Sequence, residues 1–104
     1  MEIICITTTV DNKEDAKRIS SQLIAQKLAA CVRFYKMNSV YNWNSKTVHE
    51  KEYKIEAKTV SKKSKMLINF IIKNHKYETP EILVMPCESG SAKYSKWIEK
   101  NIGD

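Results

Sequence analysis

The stretch from Cys31 to Thr59 limits the fold more than any other part of the chain. It reads as two long strands folded back at Asn42–Lys46. In the second arm, Tyr53-Lys54-Ile55-Glu56-Ala57-Lys58 alternates apolar and charged residues without a slip, so one face of a pleated strand is buried and the other polar. The first arm, Cys31 to Trp43, is rich in aromatic and β-branched residues and holds no Pro or Gly. Its alternation is looser, because Arg33 and Lys36 fall on opposite faces. At ~3.3 Å per residue a strand of that length spans roughly 40 Å. A domain of about 100 residues is only ~30 Å across, so part of the hairpin must project. A projecting hairpin carrying Tyr41 and Trp43 needs a partner surface, which points to an oligomer.

The flanking segments supply what packs on this hairpin. Ile3-Ile4-Cys5-Ile6-Thr7-Thr8-Thr9-Val10 is a continuous apolar and β-branched run, the pattern of a central strand covered on both faces. Asp11 with Glu14 three residues on predicts a capping box. Ala16, Ile19, Leu23, Ile24 and Leu28 then recur at helical spacing up to Ala29 or Ala30. Ser61 is placed to cap a second helix with an inner stripe of Leu67, Ile68, Ile71 and Ile72, stopping before Pro80. Glu81 to Met85 predicts a short buried strand ended by Pro86. A last helix after Gly90 carries Tyr94, Trp97 and Ile98 on one side. The order is βαββαβ plus a terminal helix: an α+β, ferredoxin-like sandwich, one domain over residues 1–104, with its helices on one sheet face.

Composition narrows the function. Three cysteines, Cys5, Cys31 and Cys87, form no CxxC pair and read as core thiols of a reducing compartment, here the cytoplasm. No secretory leader is expected from Met1-Glu2-Ile3-Ile4, and no apolar run is long enough to span a membrane. The net charge is +6, with eleven Lys/Arg against three acids in residues 31–76. Lys62, Lys63, Lys65, Lys73 and Lys76 read as a solvated basic face without acidic neighbours. With Arg only at 18 and 33, bidentate phosphate or base recognition has little to work with, and no specific nucleic acid is expected.

Catalytic signatures are absent: no Gly-rich phosphate loop, no GxSxG elbow and no HExxH pair. If Tyr53, Ile55 and Ala57 face the helices, Glu52, Lys54, Glu56 and Lys58 line the open sheet face. The densest polar cluster is His75-Lys76-Tyr77-Glu78-Thr79-Pro80-Glu81, at a helix-to-strand junction where loops carry sites. An imidazole with two carboxylates suits a divalent transition metal, and equally a polar turn that merely meets water.

Leu28-Ala29-Ala30-Cys31-Val32, Ser39-Val40-Tyr41-Asn42-Trp43, Glu52, Lys58-Thr59, His75-Lys76-Tyr77-Glu78, Pro80-Glu81-Ile82, Gly90, Tyr94 and Trp97-Ile98 together resemble the CutA family of divalent-cation tolerance proteins, over nearly the whole chain. The resemblance implies a homotrimer of ferredoxin-like subunits similar in build to the PII proteins, without catalytic activity, concerned with copper or other divalent metals. It carries metal binding onto His75 and Glu52, and a ligand cleft onto Lys58, Tyr77, Glu78 and Glu81; Tyr41 and Trp43 become trimer-interface residues. A PII-like sensor of a small ligand and a structural trimeric scaffold are the alternatives. The sequence departs from the family pattern at three places. Lys76 stands where Pro is usual, Ser45 where Gly is usual, and Thr7-Thr8-Thr9 holds no thiol where some members have a copper-linked cysteine.

Overall fold

β1 (Ile3–Val10) runs through the middle of a four-stranded antiparallel sheet of order β2-β3-β1-β4. β2 (Cys31–Trp43) and β3 (Lys46–Val60) form the hairpin, and β4 (Leu83–Cys87) closes the other edge. α1 (Lys13–Ala25), α2 (Ser64–Asn74) and α3 (Ala92–Lys100) complete the computed structural model, which describes residues 2–103; Met1 and Asp104 lie outside them. This is the ferredoxin-like α+β arrangement, with the extra helix at the end.

Register settles which face each side chain takes. Ile4, Ile6, Thr8 and Val10 sit opposite Thr59, Ala57, Ile55 and Tyr53, and this face packs against α1 and α2 through Ala16, Ile19, Leu23, Leu67 and Ile71. Each fully buried Ile or Leu among them contributes ~1.5–3 kcal/mol by leaving water. The opposite face carries Cys5, Thr7 and Thr9 beside Lys58, Glu56 and Lys54, as the alternation requires. α3 packs on that second face, where Ile98 and Ile102 meet Ile3 and Val60. The helices are therefore not all on one side: a single apolar anchor, Ile98, was enough to place α3 at the far end of the open face.

Several local features differ from the sequence expectations. Asn12, not Asp11, caps α1: its side chain accepts from the Asp15 N–H at 2.8 Å. α1 stops at Ala25, earlier than expected, because Lys27 turns left-handed (φ 56°) and lets Lys27 and Leu28 N–H reach the Ile24 and Leu23 carbonyls. Ser61 opens a 3₁₀ turn, and its hydroxyl donates to Glu2 instead of capping α2. Ile72 and Ile24 face solvent. β4 is not buried: it is an edge strand exposed along its whole length, and Pro86 lies within it. An edge tolerates proline because one side of the strand has no ladder partner there. Cys87 is likewise exposed, and Cys5 and Cys31 only half-buried, so the thiols are not core residues. Lys63 is buried, and Lys76 pairs with Asp15, so the basic helix face is smaller than its sequence suggests.

The hairpin does project. The chain measures 45 × 25 × 21 Å, and beyond Lys51 on β3 no hairpin residue is buried. Its tip is a two-residue turn with Asn44 at φ 51° and Ser45 at φ 63°. Positive φ at both central positions marks a type I′ turn, whose twist matches the flanking strands.

Candidate functional site

The helix-to-strand segment after α2 lies across the end of β1, and His75 pins it there. His75 Nδ1 accepts the Tyr77 backbone N–H at 3.0 Å, which fixes the proton on Nε2, and Nε2–H donates to the Thr9 carbonyl at 2.7 Å. The two rings also touch, with centroids 4.8 Å apart. Tyr77 is thereby aimed at β3, where its hydroxyl donates to Glu52 Oε2 at 3.1 Å. Burial, with the Glu52 bond adding to it, pushes the Tyr77 phenol well above its ordinary range, so it stays a neutral donor. Glu52 is only 7% exposed and forms no ion pair among the described residues.

Glu52 sits at the foot of a cleft of about 910 Å³ between the outer half of the hairpin and the 77–81 segment. Glu50, Glu78 and Glu81 line the same cleft, with Tyr41 and Trp43 on its hairpin side, and no Lys, Arg or His lines it. Tyr41 donates to Glu50, a bond that, with burial and the Glu50 charge behind it, lifts the phenol to about 12. Both hairpin carboxylates thus take hydrogen bonds from neutral phenols, which satisfy an oxygen without cancelling a charge.

The structure brings together His75, Tyr77, Glu52, Glu78 and Glu81, but it separates Lys58 from them. Lys58 lies six positions along β3 from Glu52, roughly 20 Å away, between Cys5 and Cys31 in the cross-strand row. Glu50 was missed in the sequence reading. The turn register would have found it: with Trp43 opposite Lys46, Tyr41 faces Val48 and reaches Glu50 diagonally on the same face.

For a transition metal the donors are less ready than their proximity suggests. Both His75 ring nitrogens are engaged, and no group of three His, Cys, Asp or Glu converges on one point among the described residues. Cys5, the thiol next to the Thr7-Thr8-Thr9 stretch, has its pKa raised, by burial first and by the neighbouring Cys87 next, which disfavours the thiolate a soft metal needs.

A ferredoxin-like subunit with a projecting hairpin, an open sheet edge and an acidic cleft defines a PII-like class of fold. Residues 4–101 match the family described as CutA1 divalent ion tolerance protein, and the chain belongs to that family. Protein CutA 1, chloroplastic, of Oryza sativa subsp. japonica is 34% identical over 99 residues, covering 94% of this chain and 56% of the rice protein. The chain therefore spans little more than half the length of that relative. The divalent-cation tolerance protein CutA of Yersinia pestis (strain Pestoides F) is 30% identical over 100 residues, covering 95% of this chain and 84% of its own. The crystal structure of CutA1 from Oryza sativa superposes with a TM-score of 0.95 at 32% identity, covering 100% of this chain and 96% of that one. CutA1 is not known as a family of enzymes.

Proposed function

We propose that this protein is a non-enzymatic homotrimer of the cytoplasm that contributes to divalent-cation tolerance by binding the ions weakly at the acidic cleft. The observation that carries this reading is Glu52, a carboxylate more than nine-tenths buried at the foot of that cleft with a neutral phenol as its hydrogen-bond partner. A buried charge without a counterion is costly, and a cation relieves it. Glu52 is the anchoring ligand. His75 is the second, and it joins only when Nδ1 releases the Tyr77 N–H, a cost of about one hydrogen bond that keeps affinity low.

Assembly rests on separate features: the unpaired outer edge of β4, and Trp43, 59% exposed, beside Tyr41 on the hairpin. Both aromatics are assigned to the trimer interface. Calorimetric titration with Cu²⁺ and Zn²⁺ tests the cation reading. Cu²⁺ is expected to bind more tightly than Zn²⁺, with affinity lost in Glu52→Gln, reduced in His75→Ala and unchanged by cysteine alkylation. Uptake indifferent to both substitutions would sink the reading, and thiol-dependent uptake would move the site to Cys5.

A further inference from the structure

Between Ala57 and Tyr77 the chain holds six lysines and no Asp, Glu or Arg, so the region has no acid of its own to offset them. Not all six are available. Lys63 is buried, Lys76 pairs with Asp15, and Lys58 lies on the sheet face away from α1 and α2. Lys62, Lys65 and Lys73 remain, exposed and with no ion pair among the described residues. Lys65, Asn69 and Lys73 follow one another at four-residue spacing along α2, which stacks them on one outward face. Lys62 leads into that face from the 3₁₀ turn. Met66, 55% exposed, and Ile72, 57% exposed, flank the row, each three residues from Asn69. The face is basic along its middle and apolar on both sides.

Folding does not account for it. Leu67 and Ile71 already fill the core from α2, so Met66 and Ile72 face outward instead. A helix start favours acidic residues, yet α2 has none in its first turn and no side-chain cap, and Lys62 and Lys65 add cations there. The features assigned to assembly, the β4 edge and the hairpin tip, do not include α2. We propose that this outward face docks on an anionic lipid bilayer, its lysines at the headgroups and Met66 and Ile72 at the acyl boundary. Lysine stems lie along apolar surface while their ammonium groups reach phosphate and carboxylate. Among the described residues no helix is long and apolar enough to cross a membrane, so the contact is made from the surface. The flanking apolar pair favours lipid over nucleic acid. A nucleic-acid face draws on Arg forks and stacking rings, whereas α2 has no Arg and its one ring, Phe70, packs against the core.

The test uses the full chain and is independent of the acidic cleft. The protein is co-sedimented with vesicles of phosphatidylcholine alone and of phosphatidylcholine with phosphatidylserine, at low and at raised salt. Binding is expected only where phosphatidylserine is present, and it should weaken as salt is raised. Lys65→Gln with Lys73→Gln should weaken it about twentyfold. The same loss of charge on α3, Lys93→Gln with Lys96→Gln, should weaken it much less. Met66→Ser and Ile72→Ser, both at exposed positions, should each weaken it about threefold. Denaturant melts of every variant show that the fold is kept. No preference for phosphatidylserine, or equal losses from the α2 and α3 pairs, overturns the inference. Vesicle binding indifferent to Met66→Ser and Ile72→Ser, with duplex DNA held as tightly, overturns it in favour of a general polyanion surface.

Discussion

Near α1 the hairpin buries Ile55 and Ala57 completely, while further out on the same two strands Trp43 is 59% exposed and Val40 63%. The two halves share one ladder and one unbroken register. They differ in what covers them: the base lies under α1 and α2, and the tip has no element of its own chain above it. Strand formation in this protein is thus a local property, and burial is not. The tip keeps strand composition without a core, and its large apolar side chains stay exposed in the single chain.

The largest effects should come from forcing the halves apart in mutational response. Ile55→Ala at the base removes a fully buried side chain and should cost ~2–5 kcal/mol of folding stability. Trp43→Ala at the tip should leave the subunit fold nearly unchanged and weaken association by ~2 kcal/mol or more. Denaturant melts would read the first, and light scattering against three times 12.1 kDa the second. If Trp43→Ala unfolds the chain while a smaller assembly persists, the tip is not an interface.

His75 joins the halves, and its removal should come next in size. His75→Ala deletes the bonds to Thr9 and Tyr77, and frees the segment that orients Tyr77 toward Glu52. A loss of ~1–3 kcal/mol is expected, with faster amide exchange confined to residues 75–82. Exchange unchanged there would show that Tyr77 holds the segment without the imidazole.

How far the sequence could be read follows the same division. Period-two alternation in Tyr53–Lys58 and helical spacing in Ala16–Leu23 were legible because the covering partner lies in the same chain. β4 was not: Leu83-Val84-Met85 has the apolar composition of β1, and composition alone does not distinguish a central strand from an edge waiting for a neighbour. At the site, the polar cluster after α2 nominates His75 and Tyr77 from the residues alone, and the resemblance adds Glu52 as a metal ligand. Their roles depended on contacts the order of residues does not state, such as Nδ1 accepting a backbone N–H two residues on. The Asp11–Glu14 spacing pointed to Asp11 as the α1 cap, but the neighbouring Asn12 is an equally good capping residue, and only backbone geometry decides between neighbours.

A smaller effect is expected at the turn itself. Ser45 takes a left-handed backbone that glycine adopts without penalty, in the second position of a turn that favours Asn-Gly. Ser45→Gly should therefore stabilise the tip by up to about 1 kcal/mol, offset in part by the greater freedom glycine gains when unfolded. The gain should appear as slower amide exchange in Trp43–Lys46 with little change in the global melt. A change of equal size at the hairpin base would show that tip and base are more tightly coupled than their burial implies.

The smallest effect concerns how the site segment is moored to the packed half. Lys76 Nζ lies 3.1 Å from Asp15 Oδ2 on α1, so the residue that replaces the usual proline supplies an ion pair in its place. Burial alone would raise the Asp15 pKa, but hydrogen bonds from Lys76 and Asn12 and the Lys76 charge outweigh it and hold the carboxyl below its ordinary value of 3.8. A depressed carboxyl binds its proton more weakly in the folded state than in the unfolded one. Its contribution to stability is therefore complete above the unfolded value and disappears as pH falls through the lower, folded value. The lysine is 62% exposed, so the contribution should stay below about 1 kcal/mol and shrink with salt. Comparing Asp15→Asn with the parent chain, the stability difference should be constant at neutral pH and close as the pH drops below about 4. Lys76→Pro separates the two devices. If proline's fixed backbone restores the slow exchange of residues 75–82 in Asp15→Asn, the ion pair serves to hold the segment in place. If exchange stays fast, His75 and Tyr77 set the segment's position alone, and the Asp15–Lys76 pair is only a feature of the surface.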